Sequence, residues 1–84
     1  MSQAAIISVI LKNPQESQSA FNAIVSEYHS TIQGRMGIPY KKGTIALISL
    51  IIVAQIDTIN EFVGKVRNIE NVVVNANIAE DNIN

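Results

Sequence analysis

His29 is the lone imidazole in this 84-residue sequence, and no cysteine accompanies it. That removes thiolate zinc sites, iron–sulfur clusters, disulfide frameworks and thiol catalysis together. His29 follows Tyr28 near the end of a helical stretch, where an imidazolium interacts favourably with the helix dipole. As a metal ligand it would need symmetry-related copies and carboxylates, so it is a weak candidate and no metal site is assigned. The many serines lie in no nucleophile motif, and His29 has no recognisable nucleophile or carboxylate pair beside it, so we expect no enzyme and no cofactor. Arg35, with Lys41 and Lys42 just beyond it, is the charged group best placed to form an anion-binding mouth for an effector carboxylate or phosphate. The same charges could equally be solvated groups that keep an edge strand from aggregating. Gly37, Ile38, Pro39 and Tyr40 follow Arg35 after one intervening residue, Met36, and we take Arg35, Gly37, Ile38, Pro39 and Tyr40 as the candidate ligand-binding residues.

The elements that must carry these residues follow from periodicity and punctuation. Ala4 to Lys12 is apolar at nearly every position, as in a strand covered on both faces. Asn13-Pro14-Gln15-Glu16 has the form of a helix start, with Asn13 as cap, Pro14 at the first helical position and Glu16 closing a capping box. Phe21, Ile24, Val25, Tyr28 and Ile32 then form one helical stripe. Gln33 to Pro39 is a weaker strand whose glycines and proline suit an irregular edge, and Tyr40-Lys41-Lys42-Gly43 is a turn. Ile45 to Ala54 is the longest apolar run. It is about half the length a helix needs to cross a bilayer, and its β-branched residues favour an extended chain. Asp57 and Thr58 start a second helix, Thr58 and Glu61 having capping-box spacing, with Ile59, Phe62, Val63, Val66 and Ile69 on its apolar stripe. A last strand runs over Val72 to Ile78, and Gly64 inside the second helix suggests close packing on the sheet.

The order β-α-β-β-α-β predicts an α+β, ferredoxin-like sandwich: a four-stranded antiparallel sheet with two helices on one face and the first and third strands central. We expect one domain over residues 1–79 and a flexible polar tail over 80–84. The third strand is apolar on both of its faces, whereas helices cover only one, and a half-exposed sheet normally alternates with polar residues. The uncovered face should therefore be buried against another copy of the chain, as a homodimer or tetramer, and we place Ile48, Leu50 and Ile52 in that interface.

Chemical requirements prune the functions available to this arrangement. Neither central strand carries the aromatic residues that stack bases in RNA-recognition domains, and six Lys plus Arg against seven Asp plus Glu offers no basic footprint for nucleic acid. Metallochaperones and bacterial ferredoxins need cysteines, and acyl phosphatases need a phosphate-cradling loop that Lys12-Asn13-Pro14-Gln15 does not supply. The amino-terminal residues lack the basic region of a signal peptide, which points to the cytoplasm. A regulatory module that binds a small effector between subunits remains, with a purely structural assembly module as the alternative.

The segments Arg35-Met36-Gly37-Ile38-Pro39-Tyr40, Thr44 to Ile52, Asp57-Thr58-Ile59, Phe62-Val63-Gly64-Lys65-Val66 and Ile69-Glu70-Asn71-Val72 resemble the iron-only hydrogenase system regulators. These are small ACT-like proteins, similar to the carboxy-terminal effector domain of the nickel-responsive repressor. The resemblance implies an oligomeric, ACT-like effector-binding domain with a regulatory role. The repressor's nickel site uses several histidines and a cysteine, which this sequence does not contain. No DNA-binding ribbon or helix-turn-helix segment is recognisable, so the resemblance implies an effect on transcription only through a partner.

Overall fold

The computed structural model describes residues 2–79; the tail expected over 80–84 lies outside the described residues. The elements run β1 (Gln3–Lys12), α1 (Pro14–Glu27), a 3-10 turn (His29–Thr31), β2 (Ile32–Tyr40), β3 (Ile45–Ala54), α2 (Ile56–Arg67) and β4 (Val72–Ile78). The four strands form one antiparallel sheet in the order β2-β3-β1-β4. The two most apolar strands are thus the central pair, as expected for strands that need neighbours on both edges.

Alternate residues of each strand meet the helices. Ala5, Ile7, Val9 and Leu11 of β1, Ile48, Leu50, Ile52 and Ala54 of β3, and Val74 of β4 pack with Phe21, Tyr28, Ile59, Phe62, Val63 and Val66 into the buried core. This corrects the interface expected at Ile48, Leu50 and Ile52, which are the β3 residues beneath the helices, at 9%, 0% and 1% exposure. Because side chains alternate strictly between faces, the open face belongs to the other set, Ile45, Leu47, Ser49, Ile51 and Val53.

Helix boundaries differ from the sequence reading for local reasons. Asn13 adopts a left-handed conformation (φ 54°) and makes no side-chain cap. Instead its carbonyl accepts from the Glu16 and Ser17 amides, while its own amide donates to the Thr44 carbonyl at 3.1 Å. Asparagine suits this position because its short polar side chain tolerates left-handed backbone. At the other end α1 stops before Ile32 is reached: His29 Nδ1 lies 2.9 Å from the Ser26 carbonyl and Thr31 Oγ1 donates to the Tyr28 carbonyl at 2.8 Å. These side chains occupy carbonyls at which the helix ends. In α2 the cap is Gln55, whose carbonyl accepts from the Ile59 amide at 3.1 Å, so Thr58 lies inside the helix rather than capping it. Asp57 sits in the first turn, where the helix dipole favours a carboxylate. Gly64 is exposed, and an added Cβ would meet nothing within 4 Å. The glycine is therefore not required by close packing on the sheet.

Two irregularities shape β2. A register shift between Ile32 and Gly34 leaves Gln33 as a bulge against β3. The β2–β3 loop then turns through three successive positive-φ residues, Lys41 (51°), Lys42 (56°) and Gly43 (84°). Backbone bonds from Gly43 to Tyr40 and from Thr44 to Lys41 close it.

Candidate functional site

The register of β2 against β3 divides the candidate segment between the two faces of the sheet. Arg35, Gly37 and Pro39 pair with Leu50, Ile48 and Ala46 and so lie on the helix side; Met36, Ile38 and Tyr40 pair with Ser49, Leu47 and Ile45 on the open side. On the helix side, α1 does not extend over the outer part of β2. An open cleft of about 410 Å³ remains there, with Arg35, Gly37 and Pro39 along one wall and Pro14 and Gln18 from the first two turns of α1 on the other. Ile38 and Ile45 form its rim, which joins it to the open face. Tyr40 does not line the cleft: it is exposed on the opposite face beside Ile45.

Arg35 is held rather than free-swinging. One guanidinium nitrogen donates to Asn22 Oδ1 at 3.3 Å, and the group stands 5.6 Å from the centroid of the Phe21 ring. A guanidinium carries five N–H groups, so the bond to Asn22 leaves donors for an anionic ligand. Gly37 forms part of the floor. A Cβ there would meet Ile48 Cγ1 at 3.5 Å, an ordinary contact, so a larger side chain would fill the cleft without moving the backbone. Lys41 and Lys42 stand on the adjoining loop and do not line the cleft.

His29 is exposed, with its ring bonded to the Ser26 carbonyl. Among the described residues no group of three or more His, Asp or Glu side chains is gathered that could hold a metal ion. No helix among them is long and apolar enough to cross a membrane.

A second cluster of charged and aromatic groups was not anticipated as a unit. Tyr28, only 7% exposed, donates its hydroxyl to Glu61 Oε1 and packs edge-on to Phe62 with centroids 5.3 Å apart. Lys65 stands 5.1 Å from the Tyr28 ring centroid and bonds Glu27 Oε2 at 2.8 Å. The Glu61 carboxylate, as acceptor, resists loss of the Tyr28 proton and holds that hydroxyl above its ordinary pKa; burial adds to the effect. The bond to Glu27 raises Lys65 in the same way. The cluster ties the end of α1 to α2. Its sequence signal is the i,i+4 pair Glu61 and Lys65, which places both groups on one helical face.

Residues 3–76 match the family described as "TM1266-like: Iron-only hydrogenase system regulator, putative". The chain belongs to this family. Solved structures bear out the fold of an iron-only hydrogenase system regulator. TM1266 of Thermotoga maritima superposes with a TM-score of 0.90 at 21% identity, over 95% of this chain and 100% of that one. The ACT domain of the GTP pyrophosphokinase of Chlorobium tepidum gives 0.76 at 16% identity, over 92% and 100%. The carboxy-terminal domain of the MgtC protein of Mycobacterium tuberculosis gives 0.67 at 17% identity, over 94% and 89%. No curated protein matches the chain. At these identities the likenesses concern fold alone, and they agree with the four-stranded, ACT-like sandwich with two helices.

Proposed function

We propose that this protein is a cytoplasmic regulatory module with no catalytic activity of its own, which binds a small anionic effector in the Arg35 cleft and assembles with copies of itself through the open sheet face. The observation that carries the effector reading is the gathering of Arg35, Gly37 and Pro39 with the start of α1 around one open volume of about 410 Å³. A guanidinium at one wall and the positive end of a helix dipole at the other favour a carboxylate or phosphate. The apolar rim at Ile38 and Ile45 is shared with the open face, so a second copy on that face would stand beside the ligand. An effect on transcription passes through a partner, because the near-balanced charge of the chain gives it no footprint for the phosphate backbone.

A thermal-shift screen with amino acids, nucleotides and divalent metals tests this. A ligand at a hundred times its Kd stabilises the folded state by about 2.7 kcal/mol, or roughly 10–20 °C for a chain of this size. The shift should be lost in Arg35→Ala and in Gly37→Leu, which fills the cleft. If no class of ligand shifts the wild-type protein, the effector reading fails. A purely structural assembly module is then the better reading, favoured by the apolar open face of the sheet.

A further inference from the structure

Among the described residues, eight large hydrophobic side chains stand exposed; Ile6, Met36, Ile38, Tyr40, Ile51, Val53 and Val73 lie on the open sheet face, and Ile56 lies on α2. The face is not uniformly apolar. The register places Asn75, Ser8, Ser49 and Met36 side by side in one row across all four strands, half-way along the sheet. Ile10 and Leu47 flank this row on one side, and Ile6 and Ile51 flank it on the other. The stripe of hydroxyls and an amide is bordered by aliphatic side chains on β1 and β3, with Val73 and Asn77 continuing the two flanks on β4. It can be buried only against a surface carrying polar groups at the same place, since an unpaired buried hydroxyl or amide is costly.

We infer that the open face is covered by a second copy of this chain, related by a twofold axis that runs along the Asn75–Ser8–Ser49 row, so that the row meets itself. This rests on the self-association proposed above and is independent of the effector. Such an axis lies in the plane between the sheets and perpendicular to the strands. It stacks each strand on its own counterpart, running the opposite way, which is the aligned mode of sheet packing. Ser8 and Ser49 then face the same residues of the second copy, while Ile10 and Leu47 fall over the second copy's Ile6 and Ile51.

The edge strand supports the same axis by shape. Ile38 and Gly34 lie on β2 on either side of Met36, paired with Leu47 and Ile51. The twofold puts the protruding Ile38, 56% exposed, over the position where Gly34 of the second copy has no side chain. Size points to a partner of the same kind. Strands of 7 to 10 residues at about 3.3 Å per residue, with four strands about 4.8 Å apart, give roughly 500 Å² of flat footprint per copy. A specific interface needs about 1,000 Å² counted over both partners. Only an occupant that covers the whole four-strand width reaches that figure.

The test is a charge exchange on the axis. The wild-type protein should run in light scattering at a multiple of the monomer mass. Ser49→Asp alone and Ser49→Lys alone should each run at half the wild-type mass, because each places like charges against each other in a buried row. An equimolar mixture of the two variants should recover the wild-type mass, because opposite charges then meet across the axis. Circular dichroism and a cooperative melt check that each variant is folded; if either is not, the same exchange at the exposed Ser8 replaces it. A wild-type monomer at micromolar concentration overturns the inference, and so do variants that keep the wild-type mass. A mixture that stays dissociated also overturns it, since a second copy would then cover the face in another orientation. A wild-type monomer overturns the self-association proposed above as well, whereas a mixture that stays dissociated overturns the axis alone; the effector reading is decided separately by the thermal-shift screen.

Discussion

Leu50 and Ile51 are adjacent in β3 and face opposite ways, so their substitution measures directly which side of the sheet is the core. Leu50 is fully buried at 0% exposure and Ile51 is 45% exposed. Leu50→Ala removes three carbons from beneath the helices and leaves a cavity, at a cost of about 3–5 kcal/mol. A domain of 84 residues has a total stability of about 4–13 kcal/mol, so that one change removes a large share of it. Ile51→Ser leaves the core intact and should cost about 1 kcal/mol or less in dilute protein. The assay is urea unfolding followed by far-ultraviolet circular dichroism over a series of protein concentrations. For a slope of about 1.5 kcal/mol per molar urea, Leu50→Ala lowers the midpoint by about 2 M or more. Its effect appears at every concentration. The Ile51→Ser loss grows as concentration rises, because a second copy on the open face stabilises only the wild-type chain by mass action. Equal losses in the dilute limit, or a Leu50→Ala cost below about 1 kcal/mol, would refute the assignment of the two faces.

Two further outcomes follow from the same structure. Gly64→Ala should stabilise the protein by about 0.5–1 kcal/mol, visible as a rise of several degrees in Tm, because the position is helical and its added methyl meets nothing within 4 Å; a loss of stability would mean that α2 packs more closely than described. Tyr28 and Lys65 both hold their protons more tightly in the folded state than their ordinary values of 10.0 and 10.5 imply. A raised folded pKa gives stability that is present below the unfolded value and lost as pH rises above it, so Tm should fall beyond about pH 10. Tyr28→Phe should shallow that decline, and an identical slope in the variant would exclude Tyr28 as a contributor.

The element order and the candidate cleft were readable in different degrees. The stripe Ile59, Phe62, Val63 and Val66 marked α2, and the β-branched run Ile45 to Ala54 marked β3, because burial imposes its period on the residues that undergo it. Cap positions were harder. Asn13, Thr58 and Glu61 have the right residue types, but Asn13 serves through its backbone conformation and Glu61 is engaged by Tyr28 across the helix pair. Arg35, Gly37 and Pro39 could be chosen from charge and turn chemistry, whereas the exclusion of Tyr40 from the cleft depends on strand parity. Pro14 and Gln18 carried no signal, since only packing of α1 beside β2 brings them to the site.

The sequence by itself determined that two helices and four strands would form in this order, that the two most apolar strands would be central, and that one apolar face would be left over. It could not determine which face. In β3 a single serine, Ser49, breaks the apolar run on the side of Leu47, Ile51 and Val53, and one small polar residue among aliphatics was too slight a bias to assign Ile48, Leu50 and Ile52 to the helices. The tertiary structure decided it, because register and the crossovers set α1 and α2 on one side and bury whichever set of side chains points towards them.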